Sequence, residues 1–150
     1  MKVVILRGIS GAGKSEYAKK LMEQHVHAVI CSADDGMINN QGEYDFKPFK
    51  LPMAHQQCFR KFVNVIDVKR AELVIVDNTN TQLHEIAPYL KYAELHDIPI
   101  EIIKCTCSFT EAAERNVHGV PENTILSMAN RMEKLPRYWP KETVIDTSNK

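Results

Sequence analysis

The sequence predicts a three-layer α/β/α domain built on a mostly parallel sheet of five strands. Three observations predict it. Short apolar runs alternate with stretches of helical periodicity, the pattern of a parallel sheet with helices on both faces. One run, Leu73-Val74-Ile75-Val76, is apolar at every position, as a central strand covered on both faces requires. The segment Gly8 to Ser15 places Gly8, Gly11 and Gly13 between the first apolar run and the first helical stretch, which marks a tight strand-to-helix turn.

The first strand is expected over Lys2 to Leu6, with a helix from about Lys14 to Gln24 after the glycine turn. A second strand covers about Val26 to Cys31 and stops at Ser32-Ala33-Asp34-Asp35-Gly36. Met37 to Lys50 reads as a polar connection whose clearest turn signal is Asn39-Asn40-Gln41-Gly42. From Pro52 to about Arg70, apolar side chains at Ala54, Cys58, Phe62, Val65 and Ile66 keep helical spacing. Leu73 to Val76 forms the third strand and ends at Asp77-Asn78-Thr79-Asn80. A helix from about Gln82 to His96 is expected to kink or restart at Pro88, which has no N–H to donate. Ile98 to Cys105 is the fourth strand. Ser108-Phe109-Thr110-Glu111 has the form of a capping box and opens a short helix to about Asn116. Pro121 suits the first position of another helix, to about Lys134, and Thr143 to Asp146 makes the fifth strand. No repeat or linker intervenes, so residues 1–150 read as one domain with a lid over about 112–134.

Composition narrows the function classes. An apolar share of 44% and a charged share of 25% argue against a disordered or fibrous chain. No apolar run approaches the roughly 18 residues that span a bilayer, so no membrane partner is expected. The first residues are too short for a secretory leader, and a cytoplasmic location is expected. Cys31, Cys58, Cys105 and Cys107 match no common zinc spacing and are expected as reduced thiols. Lys and Arg number 19, as do Asp and Glu, and this balance argues against nonspecific coating of nucleic acid. The balance is a cancellation. Residues 1–70 hold 11 basic and 7 acidic side chains, net +4, and residues 71–150 hold 8 and 12, net −4. A positive region of that size suits a strand end better than a long duplex.

The strongest chemical signal is Gly8-Ile9-Ser10-Gly11-Ala12-Gly13-Lys14-Ser15, a G-x-x-x-x-G-K-S phosphate loop. Its glycines let backbone N–H groups turn inward around phosphate oxygens, and the helix that follows aims its positive end at the same anion. Gly8, Ser10, Gly11, Ala12, Gly13, Lys14 and Ser15 are therefore expected to bind ATP or another nucleoside triphosphate. Lys14 meets the terminal phosphates and Ser15 ligates Mg²⁺. Strand ends supply the rest, because ligands in open α/β sheets bind at the carboxyl edge. Asp34, Asp35 and Asp77 all arrive there. Phosphoryl transfer wants one carboxylate to take a proton and another to help hold hydrated Mg²⁺. Asp77 is the candidate for the metal, although an Asp at a strand end also serves as a cap. Arg115 and Arg131 flank a broken pair of helices suited to a lid, where an Arg can meet charge on the transferring group or simply face solvent. His118, at the break, is either a loop tip or a substrate contact. His55 falls near an apolar stripe and is expected at the core or its boundary. Tyr44, Phe46 and Phe49 either stack on an acceptor base or pack their own loop onto the domain. Tyr138 and Trp139 are expected to anchor the last connection.

Gly8 to Ser15, Ser32-Ala33-Asp34-Asp35, Asp77-Asn78-Thr79-Asn80 and Arg115-Asn116-x-His118-Gly119-Val120-Pro121 occur in the order seen in one family. On these motifs the chain resembles the P-loop kinases that include the bacteriophage-type polynucleotide 5′-hydroxyl kinase domain, from the first strand to about Met132. The stretch Tyr44-Asp45-Phe46 through Leu51 and Ala54-His55 resembles the eukaryotic branch. The resemblance implies a nucleoside-kinase-like fold, with Asp34 activating a 5′-hydroxyl and Arg115 as the lid arginine. Asp35, Asp77, Thr79, Asn80 and His118 are expected to contact the substrate and Arg131 the nucleotide. Met37 stands where the phage-type enzyme carries an arginine, and the lid loop is shorter. The implied activity is ATP/Mg²⁺-dependent transfer of a γ-phosphate to a hydroxyl, foremost the 5′ end of DNA or RNA. A small molecule, a nucleoside or a modified base in DNA is the alternative acceptor. A nucleotide-binding switch with little turnover is the alternative from another class. A ring-forming ATPase is not expected, since such machines carry a further helical domain.

Overall fold

Alternation along β1 (Lys2–Arg7) sets the layers. Val3 and Ile5 join one buried cluster, while Val4 and Leu6 join the other. A computed structural model describes residues 1–116 and 119–148. Its remaining strands are β2 (Ala28–Cys31), β3 (Leu73–Asp77), β4 (Ile100–Thr106) and β5 (Glu142–Asp146). They form one sheet in the order β2-β3-β1-β4-β5, and every pairing is parallel, which sharpens the expected mostly parallel sheet. β3 has four fully buried residues, Leu73 to Val76, as its unbroken apolar run requires.

The helices are α1 (Lys14–Glu23), α2 (Leu51–Val68), α3 (Leu83–Leu95), α4 (Phe109–Glu114) and α5 (Glu122–Asn130). On one face, α2 buries Ala54, Cys58, Phe62 and Ile66, at a spacing of four residues, against Ile86, Tyr89 and Ala93 of α3. Phe62 is wholly buried and its ring meets Tyr89 edge-on at 5.0 Å between centroids. Burial of a side chain this large contributes about 3 kcal/mol. On the other face, Ala18, Tyr17 and Leu21 of α1 cover Val4, Leu6 and Ile75.

Four features differ from expectation for physical reasons, the first being that β4 begins at Ile100 because the Ile98 N–H is taken by the Ala93 carbonyl. β2 begins at Ala28, because Val26 is exposed and the His27 carbonyl is taken by the N–H groups of Glu72 and Leu73. α3 is continuous through Pro88, so the helix does not restart there. α5 stops at Asn130 rather than near Lys134, since Glu133 N donates to the Thr81 carbonyl and Arg7 Nη2 donates to the Glu133 carbonyl. Arg7 is buried and also donates to the carbonyls of Asn80 and Thr81 and to Glu142 Oε2 at 2.7 Å. It clamps the lid's return and the loop after β3 to the end of β1. The four cysteines are free thiols, as expected. Trp139 packs against the core while Tyr138 is exposed, so only the first anchors the last connection. No helix of the described residues is long and apolar enough to cross a membrane.

Candidate active site

β1 lies between β3 and β4, so the chain leaving it enters a crevice at the carboxyl edge of the sheet. Residues 8–13 turn there into α1. Gly11 has φ +84°, and a Cβ on it would stand 2.0 Å from the Ala112 carbonyl oxygen, so only glycine lets α4 approach this closely. Lys14 opens α1, is buried, and folds its Nζ back onto the Ile9 carbonyl at 3.1 Å. Burial pushes its ammonium below the ordinary lysine value, while Asp77 favours the charged form. Ser15 Oγ donates to Asp77 Oδ2 at 3.2 Å. Burial raises Asp77 above the usual carboxylate range, with Lys14 and Ser15 opposing that rise. A hydroxyl and a carboxylate this close are hard oxygen donors of the kind Mg²⁺ takes. The residues present fit that ion.

The opposite wall is built from the end of β2. Ser32 caps a 3-10 turn, Ala33–Met37, by accepting the Asp34 N–H on its Oγ at 3.2 Å. The Ala33 N–H donates to Asn78 Oδ1 at 2.8 Å, and Asn78 Nδ2 in turn reaches Cys58 Sγ at 3.5 Å. The turn carrying Asp34 is thereby tied to the end of β3 and to the core under α2. Beyond it the chain makes a miniature hairpin, with Ile38 bridged to Tyr44 and Asn39 Oδ1 accepting from the N–H groups of Gln41 and Glu43. The hairpin returns the Tyr44 hydroxyl to Asp34 Oδ1 at 3.4 Å. Burial, and then the Asp34 charge, push the Tyr44 phenol up to about 12.

One cavity of about 490 Å³ joins the two walls. Ser10, Gly11, Gly13, Lys14 and Ser15 line its phosphate end, and Asp77, Asn78 and Thr79 line its floor. Asp34, Met37, Tyr44, Phe46, Leu51 and His55 line the far end. Arg115 and Asn116, with Val120, Thr124 and Met128 from the lid, line the remaining side. Met128 Sδ lies 3.5 Å from Ser10 Oγ, so α5 touches the phosphate loop.

The structure thus brings Lys14, Ser15, Asp34, Asp77, Thr79 and Arg115 to one cavity, with Ser10, Gly11 and Gly13. Gly8 and Ala12 shape the loop from behind: Gly8 N donates to the Thr79 carbonyl, and the Ala12 carbonyl accepts from Thr147 Oγ1 at 2.7 Å. The Arg115 guanidinium rests on the Thr147 carbonyl at 2.6 Å and on Glu111 at 2.9 Å. Asp35 turns toward α2, where Lys61 Nζ is 3.9 Å away. Asn80 is buried and donates to the Leu6 carbonyl, which places it in the scaffold. Arg131 lies outside the cavity lining, with its Nε toward Thr81 Oγ1 at 3.4 Å. His118 is outside the described residues. His55 is exposed and lines the cavity instead of joining the core. Sequence reasoning gave no site role to Arg7, Asn78 or Thr147. Asn78 alone left a signal, as a polar residue directly after a buried strand.

A family model described as an AAA domain matches residues 3–135. NEDD4-binding protein 2 of Homo sapiens is 32% identical over 136 residues, covering 88% of this chain and 8% of that protein. The chain thus spans less than a tenth of that relative's length. Among solved structures, a putative kinase from Chloroflexus aurantiacus superposes with a TM-score of 0.72 at 16% identity, over 98% of this chain and 88% of that one. A chain of a Pnkp1/Rnl/Hen1 complex superposes with a TM-score of 0.59 at 23% identity, over 77% of this chain and 39% of that one. Both share the fold.

Proposed function

The chain belongs to this AAA domain family, and on the geometry of its cavity we propose an ATP-dependent kinase that phosphorylates the 5′-hydroxyl end of DNA or RNA. One observation carries the reading: a phosphate loop with Lys14, Ser15 and Asp77 faces Asp34 across a single cavity. Asp34 takes the proton of the acceptor hydroxyl as its oxygen attacks the γ-phosphorus. The bond from that phosphorus to the bridging oxygen breaks, and its electron pair leaves on ADP. Lys14 and the loop N–H groups hold the β- and γ-phosphates, and Arg115 adds a cation from the lid side. Ser15 and Asp77 would hold Mg²⁺, which would supply neutralising charge to the phosphate oxygens. The acceptor end supports a nucleic acid, since Met37, Tyr44, Phe46 and Leu51 give it apolar and aromatic walls that suit a flat base. The sequence resemblance points the same way.

The test is transfer from labelled ATP to a panel of 5′-hydroxyl oligonucleotides, nucleosides and hydroxymethylated DNA. Asp34→Asn should lower transfer by about 10² to 10⁴ while nucleotide binding survives. Full activity in that variant overturns the role of Asp34. Transfer to nucleosides with none to any oligonucleotide overturns the acceptor, and ATP binding without turnover on the whole panel returns the chain to a nucleotide-binding switch.

A further inference from the structure

Most large apolar side chains left exposed on this protein are scattered, as on any soluble surface: Val26, Leu95 and Tyr138 are examples. Three are not. Phe46, Phe49 and Met53 fall within eight residues of chain, exposed by 41%, 77% and 60%. They sit on the segment that leaves the hairpin and enters α2, and Phe46 brings that segment to the edge of the cavity. Phe46 and Leu51 line that cavity beside Asp34, and Phe49 stands on the 3-10 turn Pro48–Lys50 between them. Phe49 therefore does not pack its own loop onto the domain. Two prolines, Pro48 and Pro52, and a hydrogen bond from Lys50 N to the Lys47 carbonyl at 2.9 Å hold this turn. A ring carried on a fixed backbone turn loses only its side-chain freedom when a flat partner lands on it.

The same segment interleaves its rings with cations. Lys47 and Lys50 alternate with Phe46 and Phe49, and Arg60 and Lys61 follow along α2 on the positive half of the chain. Of these, Lys47 is paired only loosely with Asp45, at 3.5 Å on the surface, whereas Lys61 donates to the Ile30 carbonyl at 2.8 Å and lies 3.9 Å from Asp35. Surface pairs of this kind contribute at most about 1 kcal/mol and give way readily to a phosphate. Alternating rings and cations at the mouth of a cavity have one natural complement, a strand whose bases are unpaired and whose backbone is anionic.

We propose that residues 46–50 form a platform for single-stranded nucleic acid. Phe46 receives the base nearest the reacting end, Phe49 stacks the next, and Lys47 and Lys50 meet the phosphodiesters between them. The platform rests on the reading that the acceptor is a nucleic acid end, and it adds that this end is gripped beyond its first nucleotide. It also gives the acceptor phosphates cations, although Met37 occupies the position where the resembling family has an arginine.

The experiment measures binding of a 5′-phosphorylated single-stranded dodecamer, labelled at its 3′ end, by fluorescence anisotropy over a range of salt. This probe is chemically inert here, so binding is read without turnover. Wild type should bind it, and Phe49→Ala should weaken binding by about 5- to 100-fold, the range of one base–aromatic stack. Phe49→Trp should restore it. Lys47→Ala and Lys50→Ala should each lower the slope of log affinity against log salt by about 0.7. Leu95→Ala, an equally exposed apolar truncation on α3, should leave binding unchanged. Equal binding by wild type and Phe49→Ala overturns the platform, as does binding of a blunt duplex as tight as the single strand. Absence of oligonucleotide binding by wild type also overturns it. The two readings separate cleanly. Dodecamer binding that depends on Phe49 without transfer to any 5′-hydroxyl sinks the kinase and keeps the platform. Transfer with the same KM in wild type and Phe49→Ala does the reverse.

Discussion

Asn78 holds the turn that carries Asp34 with both ends of one amide. Its Oδ1 accepts the Ala33 N–H at 2.8 Å, and its Nδ2 points to Cys58 Sγ, which also receives the Tyr89 hydroxyl at 3.2 Å. Asn78 is 7% exposed, so water cannot readily replace it. Asn78→Ala leaves the Ala33 N–H without its acceptor, a loss of about 1–3 kcal/mol. Thermal melting should fall by several degrees on that account, at about 2–4 °C per kcal/mol for a chain of this size. Transfer should drop further than stability alone explains, because Asp34 is the next residue. Nucleotide affinity should hold, since the phosphate loop does not touch Asn78 through these bonds. An unchanged melting temperature would show that the amide is not the tie.

At the scale of elements, the 3-10 turn Ala33–Met37 and helix α2 are held in tight register where they meet at Gly36. A Cβ on Gly36 would lie 2.7 Å from Ala54 Cβ and 3.0 Å from Ala54 Cα, and a backbone atom cannot swing aside. Gly36→Ala must therefore shift the turn or the helix, at a cost of about 1–3 kcal/mol. Its signature should be a fall in transfer that exceeds the fall in ATP binding, partly repaired by Ala54→Gly. Equal loss of both in a variant that still folds counts against the coupling. The sequence made the sheet, its helices and the phosphate loop legible, because periodicity and glycine spacing are local signals. Asp34 and Asp77 were legible too, since strand ends deliver them. The hairpin that presents Tyr44 was less so: its turn at Asn39–Gly42 could be read, but the bridge from Ile38 to Tyr44 is a pairing across a polar stretch. The early end of α5 depends on Arg7, over a hundred residues away in the chain, and no window of sequence contains both. His55 followed the apolar spacing of α2 closely enough to suggest burial, yet it falls one residue past Ala54 and turns to the cavity.

For the whole molecule, the distribution of buried acids sets how the fold responds to alkali. Cys31, Cys58 and Tyr89 are all under 5% exposed and lie in the cluster between the sheet and the α2–α3 layer. Burial pushes the Cys31 thiol from the ordinary 9.0 up to about 12, and raises Cys58 and Tyr89 in the same direction. A raised acid keeps its proton in the folded chain after the unfolded chain has lost it. Between the two values the folded state binds more protons, so stability falls as pH rises. The contribution is whole below pH 9 and is lost through the window from 9 to about 12 for Cys31. Each such group removes up to about 1.4 kcal/mol per pH unit within its window. Urea unfolding at pH 8, 9.5 and 11 should give midpoints that fall steeply above 9, with no matching fall in the slope of the transition. Cys31→Ala gives up some packing at every pH, yet its midpoint should decline less between 9.5 and 11 than that of wild type. Parallel declines for the two proteins would place the alkaline sensitivity elsewhere than in this layer.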